Sequence, residues 1–423
     1  MSPENLLKAM FARAVEVAQP AHVLAGFLPD PPKNRTIVIG AGKASAAMAA
    51  ALEVNWPGPL EGLVLTRYGH GVPCERIEIA EGSHPVPDAA GTEASARILQ
   101  LAHSAGPDDL VIALVSGGGS ALLNLPPDGL SLDTMAELTS ALLASGAPID
   151  QLNCIRKHLS CINGGRLAAA ASPARVLTLL VSDVPGDAPS DISSGPTVGD
   201  PTRVEDALKL LETLGLNLPT ETFDALKSAL NESVKPDDPR LANNETHVIA
   251  APSASLNAAC EIAEKAGFEV RNLGDQIEGE AREIGARMAR EALALKARRT
   301  PGDKPIALIS GGETTVTLPT DKLGVGTGGR NVDFLLGMAK VLEGAKGIYA
   351  LACDTDGIDG GAEVAGALIE PDTLAKAKHH NISFEGAFQR FDGHGFFKAI
   401  DAQIITGPTH TNVNDFRTVL IYP

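Results

Sequence analysis

The stretch VLTLLVSDVPGDAPSDISSGPTVGDPT, residues 176–202, decides how the chain is read. Its first six residues show no polar alternation, the pattern of a strand buried on both faces of a parallel sheet. The run then breaks into a loop in which Asp183, Asp187 and Asp191 are interleaved with Pro185, Gly186, Pro189, Ser194, Gly195 and Pro196. Open α/β sheets bind ligands outside the carboxyl ends of their strands, so acids gathered there are placed for a metal or a metal–phosphate complex. A solvated acidic turn is the competing reading, and this segment alone leaves both open.

Upstream, TIVIGAGKASAAMAAALE (36–53) is a short buried strand, a glycine turn and an Ala-rich helix, the opening of a βα unit. GLVLTRYG (62–69) and IEIAEGSHPVPD (77–88) read as further strands, GTEASARILQLAHSA as a helix, and DLVIALVSGGGSALLNLP (109–126) as another buried strand entering a glycine turn. Downstream, VKPDDPRLANN (234–244) is rich in Pro and Asp and marks a domain boundary, after which HVIAAPSASLNAACEIAEKAG and PIALISGGETTVTL restart the alternation. The expectation is an α/β fold of two domains with mostly parallel sheets, residues 1–240 Rossmann-like and 241–423 a second α/β domain. The length agrees, since 423 residues exceed one typical core of about 150. VIALVSGGGSAL (111–122) echoes PIALISGGETTV (305–316), as a true repeat or as one turn device used twice.

With 44% hydrophobic and 21% charged residues the composition is that of an ordinary globular protein. A formal charge of −17 argues against nucleic acid or an anionic membrane as partner, because most of the surface would repel them. Lys or Arg placed beside a glycine turn is then diagnostic of a small anionic ligand. Cys74, Cys154, Cys161, Cys260 and Cys353 form no CxxC pair and are odd in number, which points to a reducing cytoplasm without structural zinc. The N-terminus, MSPENLLKAMFARAVEVA, reads as an amphipathic helix rather than a signal peptide, and no apolar run approaches the roughly 20 residues of a membrane span.

Six constellations bear on the chemistry. In Gly40-Ala41-Gly42-Lys43-Ala44-Ser45 a lysine adds a full charge to the N–H groups of a helix N-terminus; a tight βα turn is the alternative. It is not a Walker A loop, since Ala44 stands where a Mg²⁺-binding Ser or Thr belongs. As a Rossmann fingerprint it has Ser45 in place of the third glycine, and the strand that should end in an acid ends in Thr66-Arg67. Ser116-Gly117-Gly118-Gly119-Ser120 lets a ligand approach the backbone closely, unless it is a crowded turn. Ser310-Gly311-Gly312-Glu313-Thr314 adds a carboxylate, which suits a metal. Gly324-Val325-Gly326-Thr327-Gly328-Gly329-Arg330-Asn331 reads as a mobile glycine loop whose guanidinium closes on a phosphoryl group, against a plain surface loop. Asp354-Thr355-Asp356-Gly357-Ile358-Asp359-Gly360 lacks the downstream Glu of a calcium loop and reads as a second acidic strand end. Arg156-Lys157-His158 with Arg166 is the basic concentration of the first half, either ligand-directed or a solvated helix face.

Together these residues resemble the glycerate 2-kinase family, whose C-terminal half is called the MOFRL domain and whose members are sometimes labelled hydroxypyruvate reductase. The resemblance runs in order through GAGKAS (40–45), SHPVPD (83–88), SGGGSALL (116–123), RKHLS and GGRLA (156–168), VSDVPGD and SSGPTVGDPT (181–202), SGGETTVT (310–317), GTGGRN (326–331), DTDGIDG (354–360) and GPTHTNVND (407–415). It implies two α/β domains with an active-site cleft between them, ATP with Mg²⁺ or another divalent cation, and phosphorylation of D-glycerate at the 2-hydroxyl. Lys43, Arg330 and Asp183 are then the catalytic candidates. Gly42, Ser45, His84, Ser116, Gly117, Gly118, Gly119, Ser120, Arg156, Asp187, Gly311, Gly312, Glu313, Thr314, Asn331 and Asn414 are the expected substrate and nucleotide contacts. Asp183, Asp187, Glu313 and Asp354 are the candidate metal ligands. Three positions depart from the family pattern: Asn163 stands where a lysine is usual, Gly361-Ala362 replace Pro-Thr, and His410 replaces a glycine, adding an imidazole that bears on substrate preference.

A nicotinamide-dependent hydroxypyruvate reductase is the rival reading, with GAGKAS as a dinucleotide turn and Arg67 beside the 2′-phosphate. The missing third glycine and the surplus of acidic strand ends weigh against it, and the number of acids beside glycine turns weighs against a nucleotide-sugar or anion-binding module without catalysis. The chain is expected to be cytoplasmic, with small-molecule partners, and a homodimer is compatible with the sequence.

Overall fold

A computed structural model of the chain describes residues 1–423 other than 217, 229, 230 and 320–323. The chain divides into two compact units, Gln19–Ala250 and Met1–Ala18 with Ala251–Pro423. This differs from the expected 1–240 and 241–423 at two elements. The Pro/Asp-rich stretch leads into a strand that still belongs to the first unit, and the N-terminal helix belongs to the second.

The first unit is built on six strands: β1 (Thr36–Ala41), β2 (Glu61–Arg67), β3 (Ile77–Gly82), β4 (Leu110–Ser116), β5 (Arg175–Val181) and β6 (Asn244–Ala250). They lie in the order β3-β2-β1-β4-β5-β6 and every pairing is parallel. That is the Rossmann order, in which the strand sequence reverses between β1 and β4 and opens a crevice at their carboxyl ends. Residues of β1, β4 and β5 point apolar side chains to both faces, and Ile37, Ile39, Val111, Val115 and Leu180 share one core with the helices Ala89–His103 and Arg166–Ala171. A separate helical core gathers Leu138, Leu142, Ile155, Leu159, Leu211 and Leu226 from the helices Leu132–Ala144, Ile149–His158, Val204–Leu214 and Thr220–Lys227.

The second unit carries β7 (Glu269–Asn272), β8 (Gly279–Glu280), β9 (Ile306–Ser310), β10 (Thr314–Thr315), β11 (Ile348–Asp354), β12 (Gly366–Ile369), β13 (Gln403–Ile404) and β14 (Asp415–Ile421). Its main sheet runs β13-β12-β11-β14-β9-β7, and only β7 with β9 is parallel. The expected mostly parallel arrangement therefore holds for the first sheet and not for the second. A central strand buried on both faces reads as an apolar run in either direction, so periodicity does not report its sense. One face is covered by the helices Ala281–Lys296 and Arg330–Leu342. On the other, Leu6, Leu7, Met10 and Phe11 of the helix Pro3–Glu16 pack with Leu256 and Ala259 of the helix Pro252–Lys265, with Phe11 5.9 Å from Phe416. Ser2 and Pro3 start that first helix as N-cap and first-turn proline. No helix among the described residues is long and apolar enough to cross a membrane.

Candidate active site

The reversal point of the first sheet is where the GAGKAS and SGGGS turns meet. The Lys43 N–H donates to the Gly117 carbonyl at 2.9 Å, and the Ala44 N–H donates to Ser116 Oγ at 2.9 Å. Ser45 and Ser116 share a hydroxyl contact of 3.2 Å. The GAGKAS and SGGGS turns are thus laced into one structure across β1 and β4. Gly118 stands at φ +82°, and a Cβ there would lie 3.2 Å from both the His84 imidazole and Lys43 Cγ, so Lys43, His84 and the triple-glycine turn are packed together. The helix Ser45–Asn55 follows an N-cap, Ala44, that has no capping side chain; the Ala44 N–H is spent on Ser116 and the Ser45 N–H on the Gly42 carbonyl at 3.2 Å.

The acidic loop after β5 reaches this turn by its serines. Ser193 Oγ donates to the Ser116 carbonyl at 2.5 Å, and Ser194 Oγ contacts Ser120 Oγ at 2.8 Å and Asn153 Oδ1 at 3.0 Å. Both serines are held at positive φ, 53° and 58°, a conformation that costs about 1 kcal/mol or more and is kept by the surrounding contacts. Asp183 and Asp187 lie half-exposed in the same loop. Asp191 instead turns to the buried Lys157 at 3.2 Å, which Asp200 also meets at 3.4 Å. Burial alone would raise the Asp200 carboxyl, but Lys157 and the hydrogen bonds from Thr202 and Ser233 hold it below its usual range. Arg166 donates to the carbonyls of Lys157, Asn163 and Asn231, a structural role. Asn163, where a lysine is usual, donates to the Leu123 carbonyl at 3.1 Å and so steadies the end of the SGGGSALL segment.

In the second unit Arg330 is the first residue of the helix Arg330–Leu342, directly after the glycine segment. Its guanidinium donates to Asp415 at 2.9 Å, to Asp354 at 2.7 Å and to Glu313. Burial works to lower its pKa, but these carboxylates outweigh it and hold the guanidinium well above its ordinary value. The glycines before it serve packing: a Cβ on Gly326 would collide with Asp392, and one on Gly329 with Asp359. Asp359 caps the helix, accepting from the N–H groups of Asn331 and Val332 at 3.0 Å each. Burial pushes the Asp359 carboxyl up, while those N–H groups and His394 pull the other way.

The two SGG turns are not equivalent. In the second, the fully buried Arg417 donates to the Gly311 carbonyl at 3.2 Å, the Gly312 carbonyl at 3.4 Å and Thr314 Oγ1 at 3.2 Å, and it pairs with Asp415. Gly311 and Gly312 thus spend their carbonyls on an internal cation. Asn331 Nδ2 donates to Asp415 at 2.7 Å, and Asn414 stands at φ +68° with its carbonyl accepting from Thr355. Asp415, Arg417 and Asp359 organise this cluster; Asp359 was read only as part of an acidic strand end, and Asp415 and Arg417 were not singled out from sequence. A charged residue inside the apolar run DFRTVLI (415–421) was the available signal for Arg417. His410 sits at φ +60° with Nδ1 buried and without a hydrogen-bond partner among the described residues. His410→Gly is accordingly expected to stabilise the second unit by about 1 kcal/mol, read as a higher Tm; a lower Tm would show that the imidazole contributes contacts that outweigh the strain.

A family model described as "Domain of unknown function (DUF4147)" matches residues 6–231, and one described as "MOFRL family" matches residues 306–415. An Agrobacterium vitis protein carrying a hydroxypyruvate reductase name is 47% identical over 100% of this chain and 95% of its own length. The D-glycerate 2-kinase of Thermotoga maritima is 38% identical over 99% of both chains. The crystal structure of glycerate kinase from Thermotoga maritima is similar at a TM-score of 0.85 and 36% identity, covering 99% of this chain and 100% of that one.

Proposed function

Because the chain belongs to the family described by the DUF4147 and MOFRL models, together with a D-glycerate 2-kinase, we propose that it transfers the γ-phosphoryl group of ATP to the 2-hydroxyl of D-glycerate, giving 2-phospho-D-glycerate and ADP. The observation that carries the reading is Lys43 seated against the SGGGS turn at the reversal point of a Rossmann-order sheet. Phosphoryl transfer asks mainly for positioning and charge neutralisation, which glycine-turn N–H groups, a lysine and carboxylates supply.

In this mechanism the N–H groups of Gly117–Ser120 hold the phosphates, and Lys43 balances charge on the transferring group. The 2-hydroxyl oxygen forms the new P–O bond while the bond to the ADP oxygen breaks, and the hydroxyl proton passes to Asp183. Among the described residues no group of three or more His, Cys, Asp or Glu is arranged as a metal cage. Mg²⁺ takes one or two carboxylates with phosphate oxygens and waters; of the metal candidates, Asp187, half-exposed in the loop after β5, is the one proposed for it, since Asp183 takes the proton and Glu313 and Asp354 are paired with Arg330. When bound, Mg²⁺ neutralises phosphate charge.

The reductase name is carried by relatives at 47% and 50% identity that share the family with kinases at 38% and 33%, so the name does not favour hydride transfer. The buried Thr66 donates to the Gly42 carbonyl and β2 ends at Arg67, so that strand end offers no carboxylate for an NAD ribose. Incubation with D-glycerate, ATP and Mg²⁺ is expected to give 2-phosphoglycerate by phosphorus NMR, with turnover lost in EDTA and restored by Mg²⁺. Oxidation of NADH or NADPH with hydroxypyruvate, without phosphorylation of glycerate, overturns the proposal.

A further inference from the structure

Arg156 is a largely desolvated cation of the first unit that no carboxylate among the described residues pairs with. Its neighbours are committed: Lys157 to Asp191 and Asp200, Arg166 to three backbone carbonyls. The Arg156 side chain is half-buried, and among the described residues no carboxylate or carbonyl is hydrogen-bonded to its guanidinium. Burial draws its pKa down to about 10, so it stays charged at neutral pH. A partly desolvated cation without a counter-ion costs stability, and such a cost is maintained where a ligand supplies the anion.

Its position says which anion. Asn153 and Arg156 are three residues apart on the helix Ile149–His158, so their side chains leave the same face about 5–6 Å apart. Asn153 bonds Ser194, and Ser194 bonds Ser120 of the glycine turn. Arg156 therefore lies one helical turn from the residue that ties this helix to the SGGGS turn, which Lys43 touches at Gly118. The lysine is a point charge suited to a phosphoryl group, whereas a planar guanidinium matches a carboxylate with two parallel hydrogen bonds. Resting on the kinase reading above, we propose that Arg156 is the residue that binds the carboxylate of the hydroxy-acid substrate and selects acids over neutral polyols.

The test compares Arg156→Gln, Arg156→Lys and Arg156→Met with wild type. For Arg156→Gln the KM for D-glycerate is expected to rise on the order of 10- to 100-fold, with the KM for ATP within about twofold, since one charge-assisted pair is lost. Equilibrium dialysis of labelled D-glycerate without ATP should show the same loss, and Arg156→Lys should recover it only in part. Discrimination of D-glycerate from glyceramide should narrow in Arg156→Gln. Arg156→Met should melt at or above the wild-type Tm. An unchanged glycerate KM, a rise confined to the ATP KM, or a clear fall in Tm overturns the assignment. Wild-type protein that binds D-glycerate without phosphorylating it would sink the kinase reading and leave Arg156 standing. Phosphorylation by wild type with normal glycerate binding in Arg156→Gln would do the reverse, and wild-type protein that does not bind D-glycerate at all would remove both.

Discussion

Lys43→Ala is expected to lower kcat by about 10²-fold or more while leaving the Tm of the first unit unchanged or slightly raised. The two halves of this expectation come from one placement. Lys43 precedes a helix whose N-terminal N–H groups carry partial positive charge, so its ammonium is repelled by the element that follows it. Its backbone N–H contact with Gly117 survives truncation, so the lacing of the two turns is kept. What is lost is a full charge packed beside the triple-glycine turn. That charge matters most when the transferring phosphoryl group carries its greatest negative charge, so kcat should fall further than KM for ATP rises. A variant with near-normal kcat would return GAGKAS to a structural turn, and a large loss of Tm would show that the stem rather than the charge is the important part.

How much of this was legible before the structure depends on what each residue's signal reports. The first sheet was readable because β1, β4 and β5 are apolar runs that each end in glycine or acid, and parallel strands buried on both faces leave that signature. The sense of β11, β12 and β14 was not, since an apolar strand such as Asp415–Ile421 reads identically whether its neighbour runs with it or against it. The helix Pro3–Glu16 announced an apolar face through Leu6, Leu7, Met10 and Phe11, but a moment says that a face is buried and not against what. Lys43, His84 and Ser116–Ser120 were found together because glycine turns at strand ends are local features. The acids around Arg330 come from residues 313, 354 and 415, which only the folded chain brings together. Glycines 326, 328 and 329 misled in a specific way: absence of a side chain permits motion and also permits close packing, and here it permits Asp392, Phe391 and Asp359 to approach.

Arg330→Ala should therefore act first on the fold. The substitution leaves Asp354, whose side chain is 4% exposed, and Asp415, which is 0% exposed, facing Glu313 without the cation that lies among them. Breaking a buried pair by removing one partner costs about 3–5 kcal/mol, because the remaining charge stays desolvated. Arg417 also pairs with Asp415, but it is held by the Gly311 and Gly312 carbonyls and reaches neither Glu313 nor Asp354 in the described contacts. A loss of that size should lower the Tm of the second unit by roughly 10 °C. Acidification should narrow the gap to wild type, since protons relieve the mutual repulsion of acids that have lost their counter-ion; a simple packing defect would show no such narrowing. Arg330→Lys keeps a charge but cannot reach three carboxylates as a fork does, so it should fall between the two in Tm and remain well below wild type in kcat. Limited proteolysis should leave residues 324–329 intact without any ligand, because Gly326 donates to the Arg390 carbonyl at 2.7 Å and the segment is packed. If Arg330→Ala melts with wild type, the three carboxylates do not depend on this guanidinium, and the phosphoryl-directed part that the resemblance implies for Arg330 would be the reading left standing.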